Sequence, residues 1–369
     1  MRTRVYLLFG GRSGEHEVSL MSAKNVLAAL DRQKYEVIPV GITKQGEWLL
    51  TGDPLKALTD GVTAAGGMPV TLLTDPTRAE LIPVESSDTL PVAVAQGEGA
   101  VVFFPVLHGT YGEDGTIQGL LEMANVPYVG CGVLASSAGM DKGIAKALFA
   151  QAGLEQAGYK VYLRKDWERD PESLLTDVEA TFAKYPVFVK PCNLGSSVGI
   201  SKAKDRESLR KAIAEAARFD RRIVVEEGIN GREIEVSVLG NDEPIASVPG
   251  EIIAGAEFYD YQDKYFNNVS QSQIPADLPA EVAEEIRRQA VTAFKAIDGS
   301  GLARCDFFVE RGTNRILINE VNTMPGFTRI SMYPKMWEAA GISYSELCDR
   351  LIQLAFDRHT DKNRNATSI

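Results

Sequence analysis

Four side chains that could bind a metal ion and a charged substrate are spaced by two residues on two neighbouring segments. They are Arg304 and Asp306 on the first segment and Glu320 and Asn322 on the second. Side chains of a strand alternate between its two faces, so each pair is expected to share a face. Carboxylate and amide oxygens suit Mg²⁺, whose coordination shell is usually completed by substrate phosphates. The sequence therefore predicts a magnesium site that also carries a guanidinium group.

The same two segments are predicted to form a hairpin. Strands are expected over 303–310 and 315–322, around a Gly-Thr-Asn turn at 312–314. Pairing would bring both sets of polar side chains to one sheet surface, on which Phe308 and Ile318 are also expected. The alternative is a solvated polar face with ordinary salt bridges. The apolar neighbours favour a covered surface, where charges are rarely left unpaired.

A lysine followed by a glycine- and serine-rich loop forms a candidate phosphate site. A strand over 186–190 ends at Lys190 and leads into Gly-Ser-Ser-Val-Gly at 195–199. Such a loop can turn backbone N–H groups and hydroxyls toward an anion, with the lysine as a point charge. The P-loop pattern GxxxxGK[ST] is absent. A flexible turn would explain the loop alone, and the adjoining lysine favours phosphate binding.

Two acidic segments are candidates for binding a nucleotide and an ammonium group. One strand ends at Glu226 and Glu227, turns, and returns a carboxylate at Glu233. It could bind adenine through backbone groups and ribose through Glu233, although an exposed hinge explains the segment equally well. Glu15 lies in Gly-Gly-Arg-Ser-Gly-Glu-His-Glu-Val-Ser (10–19), after the first strand, where open α/β sheets bind ligands. It could hold an ammonium group, or simply be an acidic first helical turn.

The elements that must position these groups begin with a βαβ unit. Strands are predicted over 4–9 and 35–42, and the segment between them has apolar residues at helical spacing. The chain therefore opens as an α/β domain. Further along, the patterns predict a strand over 100–107, a helix over 144–151, strands over 223–227 and 233–239, and an amphipathic helix over 282–297. The polar residues 358–369 are expected to be frayed.

Composition narrows the class of protein. The 369 residues suggest two or three domains, and 44% of them are hydrophobic, as in globular proteins. The 39 basic and 50 acidic residues give a net charge of −11, which argues against nucleic acid or an anionic membrane as partner. No apolar stretch approaches the length of a membrane span. The four cysteines are far apart and without CxxC, which favours a reducing compartment and neither disulfides nor zinc.

In order and spacing, these segments resemble the D-alanine–D-alanine ligase family of the ATP-grasp superfamily. Two long signatures carry the resemblance, HGTYGEDGTIQG at 108–119 and GLARCD at 301–306 with INEVNTMPG at 318–326. Shorter matches cover nearly the whole chain: GGRSGEHEVS (10–19), MDK (140–142), VKP (189–191), GSSVG (195–199), GREIE (231–235) and DYQDKY (260–265).

The resemblance implies an α/β (α+β) chain with a three-domain ATP-grasp fold. An N-terminal Rossmann-like open-sheet domain would span 1–130, a central ATP-grasp subdomain 131–227 and a C-terminal subdomain 228–369. ATP would bind between the last two. A mobile loop near 255–275 would close over the site and exclude water.

The activity implied is ATP-dependent joining of two D-alanines into D-alanyl-D-alanine for peptidoglycan synthesis. The carboxylate of one D-alanine would attack the γ-phosphate, and the amine of a second would attack the acyl phosphate. Relatives that make D-alanyl-D-lactate generally lack the pair Lys264-Tyr265 found here, which favours an amine. The alternatives are a ligase of this family that takes D-serine or D-lactate, and a nucleotide sensor that has lost catalysis.

The resemblance also implies roles for single residues. Two Mg²⁺ (or Mn²⁺) ions would be held by Asp306, Glu320 and Asn322. ATP would be bound by Lys142, Lys190, Ser197, Glu226, Glu227, Ile229, Glu233, Lys264, Phe308 and Asn319. The two substrates and the reacting groups would be handled by Glu15, His108, Ser196, Tyr265, Arg304, Gly326 and Ser331.

Within that set, Glu15 would bind the ammonium of the first D-alanine and, with Ser196 and Tyr265, lock the loop. Arg304 and the Gly326 N–H would stabilise the oxyanion, and Ser331 with Arg304 would hold the second carboxylate. The implied partners are small molecules, D-alanine and ATP, with no nucleic acid and no membrane. A homodimer in the cytoplasm is the family expectation.

Overall fold

The part of the chain that the structure describes forms three β-sheets with helices packed against them. The computed structural model describes residues 2–51, 57–58, 61–63, 67–78, 81–84, 99–195, 198–253 and 271–366. Over these residues the predicted mixture of helices and strands is confirmed. No helix among them is both long and apolar enough to cross a membrane.

The first sheet is open and positions two loops beside each other. Its strands are β1 (Thr3–Gly10), β2 (Tyr35–Ile42), β3 (Trp48–Thr51), β4 (Gly67–Leu72), β5 (Leu81–Pro83) and β6 (Val101–Pro105), in the order β5-β4-β3-β2-β1-β6. Strand β1 pairs in parallel with both β2 and β6. The loops that follow β1 and β6 therefore leave from the same edge, where α/β sheets bind ligands. Helix α1 (His16–Ala29) begins directly after Glu15.

The second sheet is antiparallel and carries the predicted lysine strand. Its strands are β7 (Tyr159–Leu163), β8 (Val187–Pro191), β9 (Ser201–Ala203) and β10 (Arg222–Glu227), in the order β7-β10-β8-β9. The helices up to this point are α2 (Thr116–Met123), α3 (Val133–Met140), α4 (Lys142–Gln151), α5 (Arg164–Arg169), α6 (Pro171–Thr181) and α7 (Arg206–Phe219). Helices α6 and α7 bury their apolar faces on this sheet, which leaves Lys190 of β8 directed away from that core.

The third sheet holds the predicted hairpin. Its strands are β11 (Gly231–Gly240), β12 (Ile245–Ala246), β13 (Gly250–Ile253), β14 (Gln271–Gln273), β15 (Gly301–Glu310) and β16 (Ile316–Asn322), in the order β14-β13-β11-β15-β16 with β12 beside β11. The predicted amphipathic helix is α8 (Ala280–Ala296), and its apolar face packs against Cys305 and Phe307. Because strand side chains alternate, Arg304 and Asp306 project from the opposite face.

A one-residue bulge interrupts the hairpin and corrects one prediction. Asp306 pairs with Glu320, but the next residue, Phe307, pairs with Ile318, so Asn319 has no partner residue in the ladder. An inserted residue inverts the facing of every side chain beyond it. Ile318 therefore lies in the apolar core with Phe307, and the expectation that it shares the polar face was wrong.

The end of the chain packs on the beginning. Helices α9 (Met332–Ala339) and α10 (Tyr344–Lys362) join the core of the first sheet, where Leu351 and Ile352 lie in one cluster with Val5 and Leu7. The first and last parts of the chain therefore share a hydrophobic core.

Arg358 contradicts the expectation of a frayed terminus over 358–362. Its guanidinium donates to the carbonyls of Tyr128 (3.1 Å) and Gly130 and to Ser300 Oγ (2.8 Å). It also lies 4.1 Å from the centroid of the Tyr128 ring. The polar sequence is ordered as a helix here because Arg358 donates to the carbonyls of Tyr128 and Gly130, far away in the sequence.

We predict that Arg358→Met destabilises the protein by about 2–3 kcal/mol, because it leaves carbonyl acceptors without a donor. Urea unfolding followed by circular dichroism measures the change. The matched control is Arg350→Met on the same helix, which removes an exposed i,i+4 ion pair with Glu346 and should cost below about 0.5 kcal/mol. Equal losses for the two variants would contradict a specific role for Arg358.

Candidate active site

Loops of the first sheet, strands of the third sheet and the loop after β8 of the second sheet line one cleft, a cavity of about 260 Å³. The loops after β1 and β6, the start of α4, strands β11, β15 and β16, and the start of α9 line it. Eight of the twenty residues that were assigned to a site from the sequence line this cavity: Glu15, His108, Lys142, Arg304, Glu320, Asn322, Gly326 and Ser331. Eight others are described but lie outside its lining: Lys190, Glu226, Glu227, Ile229, Glu233, Asp306, Phe308 and Asn319.

Arg304 is held between two carboxylates on the polar face of the third sheet. Its Nε and Nη2 donate to Asp306 Oδ1 and Oδ2, both at 2.7 Å, and Nε lies 3.1 Å from Glu235 Oε2. Burial opposes the charge, but the two carboxylates hold the pKa of the guanidinium well above its ordinary value. The sequence analysis missed Glu235, which lies two residues after Glu233 on the same strand face.

The predicted metal ligands lie together at the end of the hairpin. Asp306 is directly opposite Glu320, and Arg304 is opposite Asn322. Lys142 Nζ lies 3.4 Å from Glu320 Oε2, and Asn322 Oδ1 accepts the Met324 N–H at 3.0 Å. No cluster of three or more His, Cys, Asp or Glu side chains suited to a metal occurs in the described part of the chain. Two carboxylates and an amide nevertheless supply oxygen ligands only. Such a set fits a hard divalent cation whose coordination shell is completed by substrate phosphates.

Lys142 owes its position to the cap of helix α4. Asp141 is the N-cap, and its carboxylate accepts the Ile144 N–H at 3.0 Å while also pairing with Arg222 of β10. The first helical residue, Lys142, donates to the Leu194 carbonyl at 2.8 Å, directly before the glycine- and serine-rich loop. Its ammonium group thus lies between the loop after β8 and strand β16.

Glu226 of the second sheet is a buried carboxylate between two lysines, Lys190 of β8 and Lys146 of α4. Glu226 is 3% exposed, and its Oε2 and Oε1 lie 2.6 Å from Lys190 Nζ and 3.1 Å from Lys146 Nζ. Burial raises the pKa of Glu226, but the two ammonium groups overcome it and lower that pKa to about 2. Lys190 also donates to Asn319 Oδ1 at 3.4 Å, so the bulge residue contacts the second sheet.

Lys146 was missed by the sequence analysis. It is 1% exposed and lies 5.4 Å from the centroid of the Tyr159 ring, and burial lowers the pKa of its ammonium group. The available signal was its spacing of four residues from Lys142 on one helix, which places both ammonium groups on the same side.

The residues predicted to surround a nucleotide line the gap between β10 and β11. A Cβ on Gly231 would lie 3.2 Å from Phe308 Cβ and 3.4 Å from Ile229 Cγ2, so two apolar side chains close around this glycine. Glu233 is paired with Phe308 across the strands. The Glu227 carboxylate accepts the Gly158 N–H at 2.7 Å.

His108 connects the loop after β6 to helix α1 and to the segment after β16 through a chain of hydrogen bonds. Its Nδ1 lies 2.9 Å from the Met324 carbonyl and its Nε2 lies 3.0 Å from Ser22 Oγ. Ser22 Oγ accepts the Phe327 N–H at 3.2 Å. Burial lowers the pKa of His108 to about 4, so the ring is neutral, with Nδ1 as the donor to the carbonyl and Nε2 as the acceptor. The sequence analysis missed Ser22, which braces the segment that contains Gly326.

Two carboxyl groups meet at the ends of β1 and β6. Glu15 and Glu113 are 7% and 5% exposed. The Gly109 N–H donates to Glu113 Oε1 at 3.1 Å, and a Cβ on Gly109 would lie 2.9 Å from Glu15 Oε2. Burial and the neighbouring Glu15 raise the pKa of Glu113 well above its ordinary value. Glu113 was missed, although it lies inside the signature at 108–119.

Four of the predicted site residues lie outside the described residues. They are Ser196, Ser197, Lys264 and Tyr265. Ser331 is described: it is the N-cap of α9, and its Oγ lies 2.8 Å from Thr328 Oγ1 and accepts the Thr328 N–H at 3.0 Å. A Cβ on Gly326 would come within 2.8 Å of Ser331 Oγ, so the two are in close contact.

Comparisons with known proteins cover the whole chain. The family models described as D-ala D-ala ligase N-terminus and C-terminus match residues 4–131 and 148–353. A D-alanine–D-alanine ligase of Heliobacterium modesticaldum is 53% identical over 367 residues, covering 100% of this chain and 98% of the relative. One of Acetivibrio thermocellus is 50% identical over 372 residues, covering 98% and 97%.

Solved structures of similar chains agree with these matches. The D-alanine–D-alanine ligase from Coxiella burnetii has a TM-score of 0.82 at 35% identity and covers 98% of both chains. The VanG D-Ala:D-Ser ligase from Enterococcus faecalis has a TM-score of 0.83 at 36% identity, covering 96% of this chain and 100% of that one.

We predict that His108→Asn lowers stability at pH 7 and flattens its dependence on acid. The folded-state pKa of about 4 lies below the ordinary 6.5, so the neutral ring contributes stability above pH 6.5 that is lost as the pH falls toward 4. Between pH 6.5 and pH 4 the free energy of unfolding of the wild type should fall by roughly 3 kcal/mol more than that of the variant, if the full change in the His108 pKa is counted. Urea unfolding at pH 7, 6, 5 and 4 measures it, and parallel curves would refute the argument.

We predict that Glu226→Gln destabilises the protein by about 3–5 kcal/mol, because it leaves two buried ammonium groups without a counter-charge. The double variant Glu226→Gln with Lys146→Met should recover part of that loss, since one uncompensated charge is removed. Urea unfolding of the two single variants and the double variant measures the coupling. Additive losses would mean that the ion pair is not the cause.

Proposed function

The chain belongs to the D-alanine–D-alanine ligase family, and we propose that the cleft described above is where it joins two D-alanines. It is an ATP-dependent ligase of the ATP-grasp fold that makes D-alanyl-D-alanine for peptidoglycan synthesis. One observation carries the assignment of the site: family motif positions far apart in sequence, from Glu15 to Ser331, line one cavity.

The reaction has two steps in this cleft. In the first, a carboxylate oxygen of one D-alanine bonds to the γ-phosphorus of ATP as the bond to ADP breaks. In the second, the amine nitrogen of another D-alanine bonds to the acyl carbon, the bond to phosphate breaks, and the nitrogen releases a proton. The products are the dipeptide, ADP and phosphate.

Lys142 and Lys190 are proposed to bind ATP phosphates. The ammonium group of Lys142, on α4, faces Glu320 of β16, and that of Lys190, on β8, donates to Asn319 of the same strand, so two positive charges lie beside β16. The adenine and ribose would lie deeper, beside the remaining proposed nucleotide residues, Glu226, Glu227, Ile229, Glu233 and Phe308. Ser197 and Lys264 are proposed to reach the phosphates from segments outside the described residues.

Asp306, Glu320 and Asn322 are proposed to hold two Mg²⁺ or Mn²⁺ ions. These ions would neutralise charge on the phosphoryl group during transfer. The all-oxygen donor set at the end of the hairpin supports this assignment. Arg304, whose raised pKa keeps it charged, would stabilise the oxyanion of the second step together with the Gly326 N–H.

The two amino acids are proposed to bind at opposite ends of the cavity. Glu15 would accept hydrogen bonds from the ammonium of the first D-alanine, close to Glu113. Ser331, with Arg304, would bind the carboxylate of the second. His108 would act through position, because both of its ring nitrogens are occupied in bracing the segment 324–327. Glu15, Ser196 and Tyr265 would fasten the loop near 255–275, so that the acyl phosphate is shielded from water.

D-Serine is the second candidate for the nucleophile. The specific observation in its favour is the structural match to a D-Ala:D-Ser ligase at 36% identity. The pair Lys264-Tyr265 favours an amine as the nucleophile over the hydroxyl of D-lactate. D-Alanine and D-serine both supply such an amine.

Two broader features are also proposed. The four cysteines are free and buried, and with the use of ATP this supports a cytoplasmic location. A homodimer is inferred from the family, and light scattering at micromolar concentration would test it.

The function is tested by phosphate release from Mg²⁺-ATP with D-alanine, L-alanine, D-serine and D-lactate, with the product mass recorded. Release with D-alanine alone and the mass of the dipeptide are expected. Release only after D-serine or D-lactate is added would keep the mechanism and change the second substrate. ATP binding without release under any pair would show a nucleotide sensor.

We predict that Asp306→Asn and Glu320→Gln together reduce dipeptide synthesis by at least about a thousandfold, as expected when charge neutralisation at the phosphoryl group is lost. Phosphate release at saturating ATP measures the effect. Circular dichroism and ATP binding should be retained as controls for folding. Dipeptide formation near the wild-type rate would reject the proposed metal ligands.

A further inference from the structure

Lys335 differs from the other cations that line the cleft. Lys142 faces Glu320 at 3.4 Å, and Arg304 is bonded to carboxylates on both sides. Lys335 lines the same cavity, and among the described residues no carboxylate lies within 4 Å of its ammonium group. The contact it makes is with the neutral Ser272 hydroxyl, 3.4 Å away. Its charge is therefore available to an anion in the cleft.

Lys335 lies at the end of the cavity that Ser331 lines. It lies one helical turn after Ser331 on α9, so the two side chains are neighbours on one side of the helix. Ser331 makes no side-chain cap to its own helix, since its Oγ is engaged with Thr328. The positive end of the helix, a hydroxyl and an ammonium group thus face the same space.

Acidic side chains around this space would repel a substrate carboxylate, and a further cation would offset them. Glu15, Glu113, Glu235 and Glu320 line the cavity, against Lys142, Arg304 and Lys335. The charge of Arg304 is already shared by Glu235 and Asp306. A substrate carboxylate that approaches Arg304 alone would meet the field of those two acids, and a free ammonium group on the other side offsets it.

We propose that Lys335 binds the carboxylate of the second substrate and thereby makes that carboxylate a requirement of the ligase. The inference rests on the proposed function, which puts this carboxylate at Ser331. Lys335 is a specificity-determining residue in this assignment: it takes no part in phosphoryl transfer and moves no proton. An amino acid with a free carboxylate is accepted as the second nucleophile, and the corresponding amide is discriminated against.

The first experiment compares two nucleophiles in one reaction. Wild type, Lys335→Met and Lys335→Arg are given Mg²⁺-ATP with equal concentrations of D-alanine and D-alaninamide. Mass spectrometry gives the ratio of D-alanyl-D-alanine to D-alanyl-D-alaninamide. Lys335→Met should lower this ratio roughly tenfold, the scale of one partly screened charge contact, and Lys335→Arg should keep it near wild type. A merely structural role would lower both products and leave their ratio unchanged.

The second experiment measures saturation by D-alanine at fixed ATP. The half-saturation constant of the second D-alanine should rise roughly tenfold in Lys335→Met, with kcat changed little, and added salt should raise the wild-type constant more than that of the variant. Lys211→Met is the matched control, because Lys211 is exposed on α7 and pairs with Glu207 far from the cleft. It should match the wild type throughout.

The outcomes separate the two proposals. A wild-type enzyme that makes no dipeptide would overturn the proposed function itself. A wild-type enzyme that makes it, together with a Lys335→Met variant whose product ratio and half-saturation constants equal those of wild type, would overturn the assignment of Lys335 alone.

Discussion

Charge balance across the gap between the second and third sheets is the constraint on which the cleft depends. Lys142 and Lys190 come from one side, and Glu320 and Asn319 from the other. Charges this far from water are stable only when they are paired. In the ligand-free protein Glu320 supplies the counter-charge of Lys142 across the gap, whereas the counter-charge of Lys190 is Glu226 of its own sheet. In the proposed complex, nucleotide phosphates would replace the carboxylates beside the lysines, and divalent cations would replace the lysines beside the carboxylates.

A second layer of contacts holds this cleft in shape from the N-terminal domain. The neutral His108 and Ser22 fix the segment that carries Gly326, and Arg358 ties the last helix to Tyr128 and Gly130. Except for the hydrogen bond between His108 and Ser22, these bonds join residues that are more than two hundred positions apart in the sequence. Backbone N–H groups that must point at a developing charge need such support, because a small displacement would weaken them.

Much of the fold and site could be predicted from sequence, because local patterns encode them. The hairpin, the amphipathic helix α8 and the first βαβ unit follow from periodicity, and the motifs named most cleft residues. The bulge at Asn319 could not be read, since alternation alone does not reveal an inserted residue, and Ile318 was misplaced as a result. Glu113, Glu235 and Lys146 were missed because their importance arises from burial beside partners distant in sequence. The polar end of α10 looked frayed because the acceptors of Arg358 belong to another domain.

The shared core of the first sheet and the last helix has a consequence for biosynthesis. Val5 and Leu7 of β1 lie in one buried cluster with Leu351 and Ile352 of α10. A chain still on the ribosome has made the first sheet long before it has made the helix that covers it. The N-terminal domain therefore keeps apolar surface exposed until translation is nearly complete. Folding of the first domain is in this way coupled to synthesis of the last, and a prematurely terminated chain would display that surface to chaperones and proteases.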